Sequence, residues 1–481
     1  MYQRIHVAVG LVILFVFSSG NMVSQDAVSA VRPESAYHYC RILAGKDFAG
    51  RFTGSLGYTQ AARWAAAEFK KGGLQPLFDS QSYLQDFPSP YSIIDQAELS
   101  LKIPGKPGGG GKTVTVELFK DFLPLLFSDS GEAEAELVFA GWGISAPELG
   151  YDDYAGMDVR DKFVVCYRGV PDPTNLAFTE HDQHRTRMRL ARDKGAQGLF
   201  YIYEEVQANP NGDRLAGFMP LEISTAVADI ILAEKGLSSA DLRGDLSRYQ
   251  RPLSFPLKTR ARLKVAARYF PDGIGHNIGA YLEGSDPQLR GELIVLGAHF
   301  DHCGQQAGRL FPGADDNASG SATVMEAARV LAESGSKPRR SIAFTLFGGE
   351  EMGLLGSHWL VKKGPYQGKR FSAMLNFDMT GEGDGLGCGF SAEPTNLKQM
   401  IEAASARLSI LVKSREIRSV GVRGSDYAPF FQNGVPIVSL VSNGPHVFYH
   451  QAGDTLYRVN PDMLADAARF GISLALELAN R

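Results

Sequence analysis

Cysteine is scarce: four residues, Cys40, Cys166, Cys303 and Cys388, are spread over 481 positions with no close pair. That spacing excludes a disulfide scaffold or a zinc knot and reads as small buried hydrophobes; a bridge between Cys303 and Cys388 is the one pairing to check. An excess of charge of either sign is also missing. Lys and Arg total 49 against 53 Asp and Glu, a net charge of −4, so composition offers no electrostatic case for nucleic acid or an acidic membrane. Apolar runs long enough for a bilayer are lacking too. The run at 7–17 is too short to span one comfortably, but it follows Arg4 and precedes Ser18, Ser19 and Gly20. This is the order of a secretory signal cleaved between Gly20 and Ala30, with an uncleaved anchor as the alternative. A secreted or periplasmic protein without stable membrane insertion is expected.

At about 150 residues per domain, this length predicts two or three domains. Between 36 and 74 a Gly-rich loop at 50–57 leads into a helical pattern stopped by Gly72 and Gly73. A Pro- and Gly-rich turn at 104–111 separates two strand-like stretches and reads as an exposed hairpin or flexible loop. From Glu132 the runs "AELVFAGWGI", "DKFVVCYRGV" and "GAQGLFYIYEE" are β-rich, with a basic helix at 185–194. His181 and His184 read as members of a polar, solvated loop there. After about 262, apolar strands alternate with helices at 319–333, 352–363 and 395–408. The fold class expected is α/β: a mixed, largely parallel sheet sandwiched by helices, with an inserted β-rich domain. The expected organisation is a signal at 1–30, the first part of the main domain at 31–130, the insertion at 131–261 and the catalytic part at 262–481.

In sheets of this kind ligands sit at the carboxyl ends of strands. Five candidate metal ligands occur in the last third of the chain, four of them at such ends: His299, Asp316, Glu351, Asp378 and His450. His299 and Asp301 form H-x-D, with the carboxylate placed to hold the second ring nitrogen of the imidazole. Asp315 and Asp316 lie in "PGADDNASGS", where one acid can cap the following helix while the other bridges two metals. Glu350 and Glu351 follow two glycines that let neighbouring side chains diverge, one toward metal and one toward the substrate water. Asp378 closes the apolar run "AMLNFD", where an unpaired charge would cost several kcal/mol, so a cation is expected beside it. Of His446 and His450, in a segment read as extended, His450 is the expected ligand and His446 structural. Imidazole and oxygen donors without thiolate suit zinc. Two divalent ions against three carboxylate ligands and one bridging hydroxide give a neutral site.

The motifs "GAHFDHCG", "PGADDNASG", "FTLFGGEEMGLLGS", "LNFDMTG", "SDYAPF" and "FYHQAGDT" occur in the order found in the co-catalytic di-zinc aminopeptidase family, which the chain resembles over 262–481. The stretches at 150–165 and 191–200 resemble the protease-associated domain, a lid or substrate-access module in relatives. The resemblance implies two Zn2+ per chain: Asp316 bridges, His299 and Asp378 complete one site, and Glu351 and His450 the other. It further implies Glu350 as general base, Tyr449 as oxyanion stabiliser, and Asp301 and Asp454 as supports. The partners implied are peptides with a free N-terminus. Tyr427 stands where relatives often have His, and His302 and Cys303 where small residues are usual. A carboxypeptidase of the same fold, using Arg309 or Arg423 for a substrate carboxylate, is the nearest alternative. A glutaminyl cyclase and a non-catalytic binding protein like the transferrin receptors are more distant ones.

Overall fold

The structure, a computed structural model, describes residues 26–79, 81–105, 110–364, 368–419 and 424–481. The apolar run at 7–17 and the glycines at 108–109 lie outside the described residues. Among the described residues no helix is long and apolar enough to cross a membrane.

Unbroken apolar runs cannot rest at a solvated surface, so they form the interior strands of a sheet covered on both faces. Glu292–His299 and Ser341–Phe347 are buried along their whole length and pair in parallel, His299 lying opposite Phe347. Arg370–Phe377 pairs in parallel with Glu292–His299, and Ile437–Ser442 in parallel with Arg370–Phe377. Four neighbouring strands therefore end at one edge. Antiparallel strands, Ile274–Leu282 and Leu386–Ser391, flank these four in a nine-stranded sheet. Helices Pro33–Leu43, Gly320–Glu333 and Pro461–Asn480 pack on one face. Leu355–Lys363 and Tyr427–Gln432 cover the other through Leu360 and Phe430. The expected α/β sandwich is thus present.

A second, eight-stranded sheet draws on more of the chain than 131–261. Tyr91–Ile103 pairs antiparallel with Ser254–Phe270, from Tyr91 opposite Phe270 to Lys102 opposite Arg260. The chain leaves the first sheet after Pro88 and rejoins it at Ile274, where these two residues are paired. Strands on either side of the turn at 104–111 pair as a hairpin, Ile103 opposite Lys112. The rest of this sheet is mixed, with Gly131–Ala140, Phe163–Tyr167, Gly198–Tyr203 and Leu221–Ser224 parallel in that order. Three helices, His184–Asp193, Thr225–Leu232 and Ser239–Tyr249, accompany it. His184 is not in a solvated loop: it opens a helix and is buried. His181 pairs with Glu148 at 3.0 Å. All four cysteines are buried and free, so Cys303 and Cys388 do not bridge.

Candidate metal centre

His299, Glu351 and Asp378 follow the ends of buried strands and Asp316 precedes a buried helix, whereas His450 comes from a turn segment. His299 is the last residue of its strand, and Asp378 directly follows Phe377. Glu350 and Glu351 follow Phe347 across two glycines. A Cβ on Gly348 would lie 1.7 Å from the Tyr58 hydroxyl, and Gly349 has φ +66°, so both positions demand glycine. Asp316 sits in the turn Ala314–Ser319, ahead of the helix. Asp454 anchors that turn by accepting from the amides of Asp315 and Asp316 at 2.8 and 3.0 Å. Asn317, rather than Asp315, accepts from Gly320 N at the helix start, at 2.8 Å. Asp315 instead holds His446 Nδ1 at 2.6 Å, while His446 Nε2 donates to Ser442 O at 3.0 Å. With both nitrogens donating, that imidazole is charged. Burial works against the charge, but Asp315 lifts the His446 pKa to about 9.

The structure brings the five ligand candidates together around Asp316. One oxygen, Oδ1, is 3.3 Å from His299 Nε2, which is itself 3.4 Å from Asp378 Oδ1. The other, Oδ2, is 3.3 Å from His450 Nε2, which lies 2.8 Å from Glu351 Oε2. Glu350 Oε2 stands 4.0 Å from His299 Nε2. His450 Nδ1 donates to Ala208 O at 2.7 Å, so Nε2 is the nitrogen turned toward Asp316 and Glu351. His450 Nε2 and Asp316 Oδ2 are buried 3.3 Å apart without a well-formed hydrogen bond. Carboxylates gathered in this way need positive charge beside them, supplied by protons on the imidazoles or by a bound cation, and the donor set of imidazole and carboxylate suits a divalent metal. Burial disfavours charge on both histidines, yet the surrounding carboxylates hold the His299 and His450 pKa values well above 6.5.

The supports differ in detail from their expected places. His299 Nδ1 meets the Asp301 backbone oxygen at 3.3 Å and its carboxylate only at 3.7 Å. The Asp301 carboxylate is held instead by Thr53 Oγ1 at 3.0 Å and Glu350 N at 3.3 Å. The segment carrying Tyr449 and His450 is not extended but a run of tight turns, with His446 and His450 at positive φ. Tyr449 stacks on the His450 ring at 3.9 Å and remains 43% exposed on the cleft.

Several members were not foreseen. His302, noted only as a departure, is buried and lies 2.8 Å from Glu351 Oε1 through Nδ1. Arg51 is fully buried and donates to the carbonyls of Leu43, Phe300, Pro312 and Gly313 at 2.6 to 2.8 Å. It thereby ties the His299 loop to the Asp316 loop. Asp426 is buried near His299 and Asp378, and burial lifts its pKa to about 7. No residue type announces a backbone acceptor such as Ala208. Arg309 lies over the Phe119 ring at 4.2 Å and does not line the cleft, and Arg423 is outside the described residues. The cleft, about 1320 Å³, is walled by the metal centre on one side and by Arg168, His184, Arg185 and Asn209 of the eight-stranded domain on the other.

Residues 277–475 match Peptidase family M28, which bears out the family resemblance of the motifs. A probable leucine aminopeptidase of Trichophyton verrucosum is 31% identical over 197 residues, covering 39% of this chain and 54% of the relative. The chain spans about half the length of the curated relatives it matches, 48% and 54% of the first two. Among solved structures, an aminopeptidase from Aneurinibacillus sp. strain AM-1 superposes with a TM-score of 0.66 at 23% identity, covering 95% of this chain and 96% of that one. A zinc aminopeptidase from Bacillus subtilis gives 0.64 at 19% identity, covering 94% and 98%. At these identities the likeness shows a shared fold.

Proposed function

We propose that the chain is an exported zinc aminopeptidase that removes N-terminal residues from peptides. Two zinc ions would be held by His299, Asp316 and Asp378 and by His450, Asp316 and Glu351. The observation that carries this reading is the Asp316 carboxylate, whose two oxygens each stand 3.3 Å from a different imidazole. Ligands about 2.1 Å from a tetrahedral ion lie about 3.4 Å apart, which matches these separations. Bound zinc supplies Lewis acidity toward a scissile carbonyl and lowers the pKa of water from about 15.7 toward about 7.

The remaining chemistry belongs to side chains. Burial first, then Asp378, Asp426 and Glu351, lift the Glu350 pKa well above its ordinary value, which suits a carboxylate that must accept a proton. Glu350 takes the proton of the attacking water and passes it to the leaving amine. Burial, then the carboxylates of Asp316, Glu351 and Glu350, hold the Tyr449 pKa well above 10, so its hydroxyl keeps its proton and donates to the oxygen on which negative charge develops. Glu350 and Asp378 are 15% and 22% exposed, so both reach the cleft that a substrate enters. The names of the leucine aminopeptidase relative and of the zinc aminopeptidase fold support the same reading. The motifs at 150–165 and 191–200 lead into strands Phe163–Tyr167 and Gly198–Tyr203 of the eight-stranded sheet, and we read that domain as a protease-associated access module. The charge pattern at 1–20 supports export.

Aminoacyl chromogenic amides, tested beside N-blocked peptides with and without a chelator, decide the matter. Chelator-sensitive cleavage restricted to free amines is expected. Cleavage only of N-blocked peptides, from the carboxyl end, would replace this reading with a carboxypeptidase.

A further inference from the structure

His450 does not rest on its own domain. Its Nδ1 donates to Ala208 O at 2.7 Å, and its carbonyl accepts from Ala208 N at 2.9 Å. Ala208 belongs to the eight-stranded domain, in the stretch that follows strand Gly198–Tyr203. One residue of that domain therefore brackets the imidazole and its backbone together. Since a carbonyl can only accept, it fixes a proton on Nδ1 and turns Nε2 toward Asp316 and Glu351 as the nitrogen that would meet a metal.

The segment 205–211 is itself clamped from behind. Gln207 N donates to Glu222 Oε2 at 3.1 Å, and Glu222 is fully buried. Leu126 N donates to Asn209 O at 2.9 Å. The Asn209 side chain accepts from Asn211 N and donates to His184 Nε2, both at 3.1 Å. Burial, then neighbouring arginines, keep His184 neutral, so Nε2 can accept that bond. Two further contacts cross between the domains: Gln451 Nε2 to Glu205 at 2.9 Å and Arg185 to Met352 O at 3.1 Å. Met352 immediately follows Glu351.

We infer that the segment 205–211 is a positioning element of the metal centre, and that the seating of the eight-stranded domain sets zinc affinity in the His450 half of the site. This rests on the ligand assignment above. Asn209 touches neither metal nor substrate carbonyl in this scheme; it acts through Ala208 on His450. The His299 half has its own acceptor, the Asp301 carbonyl at 3.3 Å within the first domain, and is independent of the segment.

The test is calorimetric zinc titration of the metal-free wild-type chain, Asn209→Leu and Asn209→Ser. Asn209→Ser keeps a short acceptor for Asn211 but cannot reach His184, and serves if the leucine variant does not fold. Loss of a partner that orients a ligand costs about 10–100-fold in metal affinity. Wild type is expected to bind two equivalents. The variants should bind one with unchanged affinity and the other about 10–100-fold more weakly, with His450→Gln identifying the weakened site. In cobalt-substituted protein, the exchangeable ring N–H signal that His450→Gln abolishes should exchange faster in the Asn209 variants. Equal weakening of both sites, or of neither, overturns the inference while leaving the metal ligands standing. Fewer than two equivalents in the wild type would remove the ligand assignment itself, and the inference with it.

Discussion

Glu350 and Glu351 are adjacent in sequence and opposite in environment. Burial works against ionisation of both, but His450 and His302 close on Glu351 at 2.8 Å each and hold its pKa down at about 2. Glu350 has one imidazole at 4.0 Å and three acids around it, and stays well above its ordinary value. Glu351 therefore serves as a permanent anion for a cation, and Glu350 as a group that exchanges protons. Glu350→Gln keeps the shape and removes the proton acceptor. Turnover of an aminoacyl amide should fall about 10²–10⁴-fold with zinc content unchanged, and undiminished turnover would eliminate Glu350 as the base. Asp316→Asn should behave differently, because each oxygen of Asp316 faces a separate imidazole. Zinc titration is expected to show both sites weakened together; loss of only one would argue against a bridging role.

The strands that carry the site were legible because a buried parallel strand writes an unbroken apolar run, and an acid or imidazole at its end stands out. His299, Glu351 and Asp378 stand out in this way. The extent of the second sheet was not legible, since Tyr91–Ile103 and Ser254–Phe270 pair across roughly 150 intervening residues with half-exposed, alternating faces. Arg51 and Ala208 were missed for another reason: they act through backbone carbonyls, which carry no sequence signature. His184 was hidden by the polar run around it, although that helix turns it inward. Glu222 shows what such inward polar groups do to an element. Burial raises its pKa from 4.5 to about 8. An acid whose folded pKa is raised binds its proton more tightly when folded, so its contribution is full below pH 4.5 and is lost as pH rises toward 8. The slope is at most about 1.4 kcal/mol per pH unit. Urea midpoints measured from pH 5 to 8 should fall with pH in the wild type relative to Glu222→Gln, and parallel curves would contradict the raised pKa.

The two domains meet across a cleft whose floor gathers Asp316, Glu350, Glu351 and Asp378 against two histidine ligands, an arrangement with a surplus of negative charge. Without metal, protons fill part of that deficit: His299 and His450 are held charged well above 6.5. A group whose folded pKa is raised stabilises the fold fully below its unfolded value and loses that contribution as pH climbs through the folded one. Metal-free protein should therefore weaken on going from pH 6 to pH 8. Zinc must displace these same protons to reach the imidazoles, so its affinity should rise over that interval, by up to tenfold per pH unit for each proton released. Stabilisation by zinc at 1,000 times its dissociation constant is about 4.1 kcal/mol, and each tenfold gain in affinity adds about 1.4 kcal/mol. Because the second domain grips His450, the gain should appear in a transition that includes both domains rather than in the first alone. Thermal unfolding with zinc and with chelator, at pH 6 and at pH 8, measures this directly. The Tm difference between the two conditions is expected to be larger at pH 8; a difference that is constant, or larger at pH 6, would mean that protons do not hold the place of the metal.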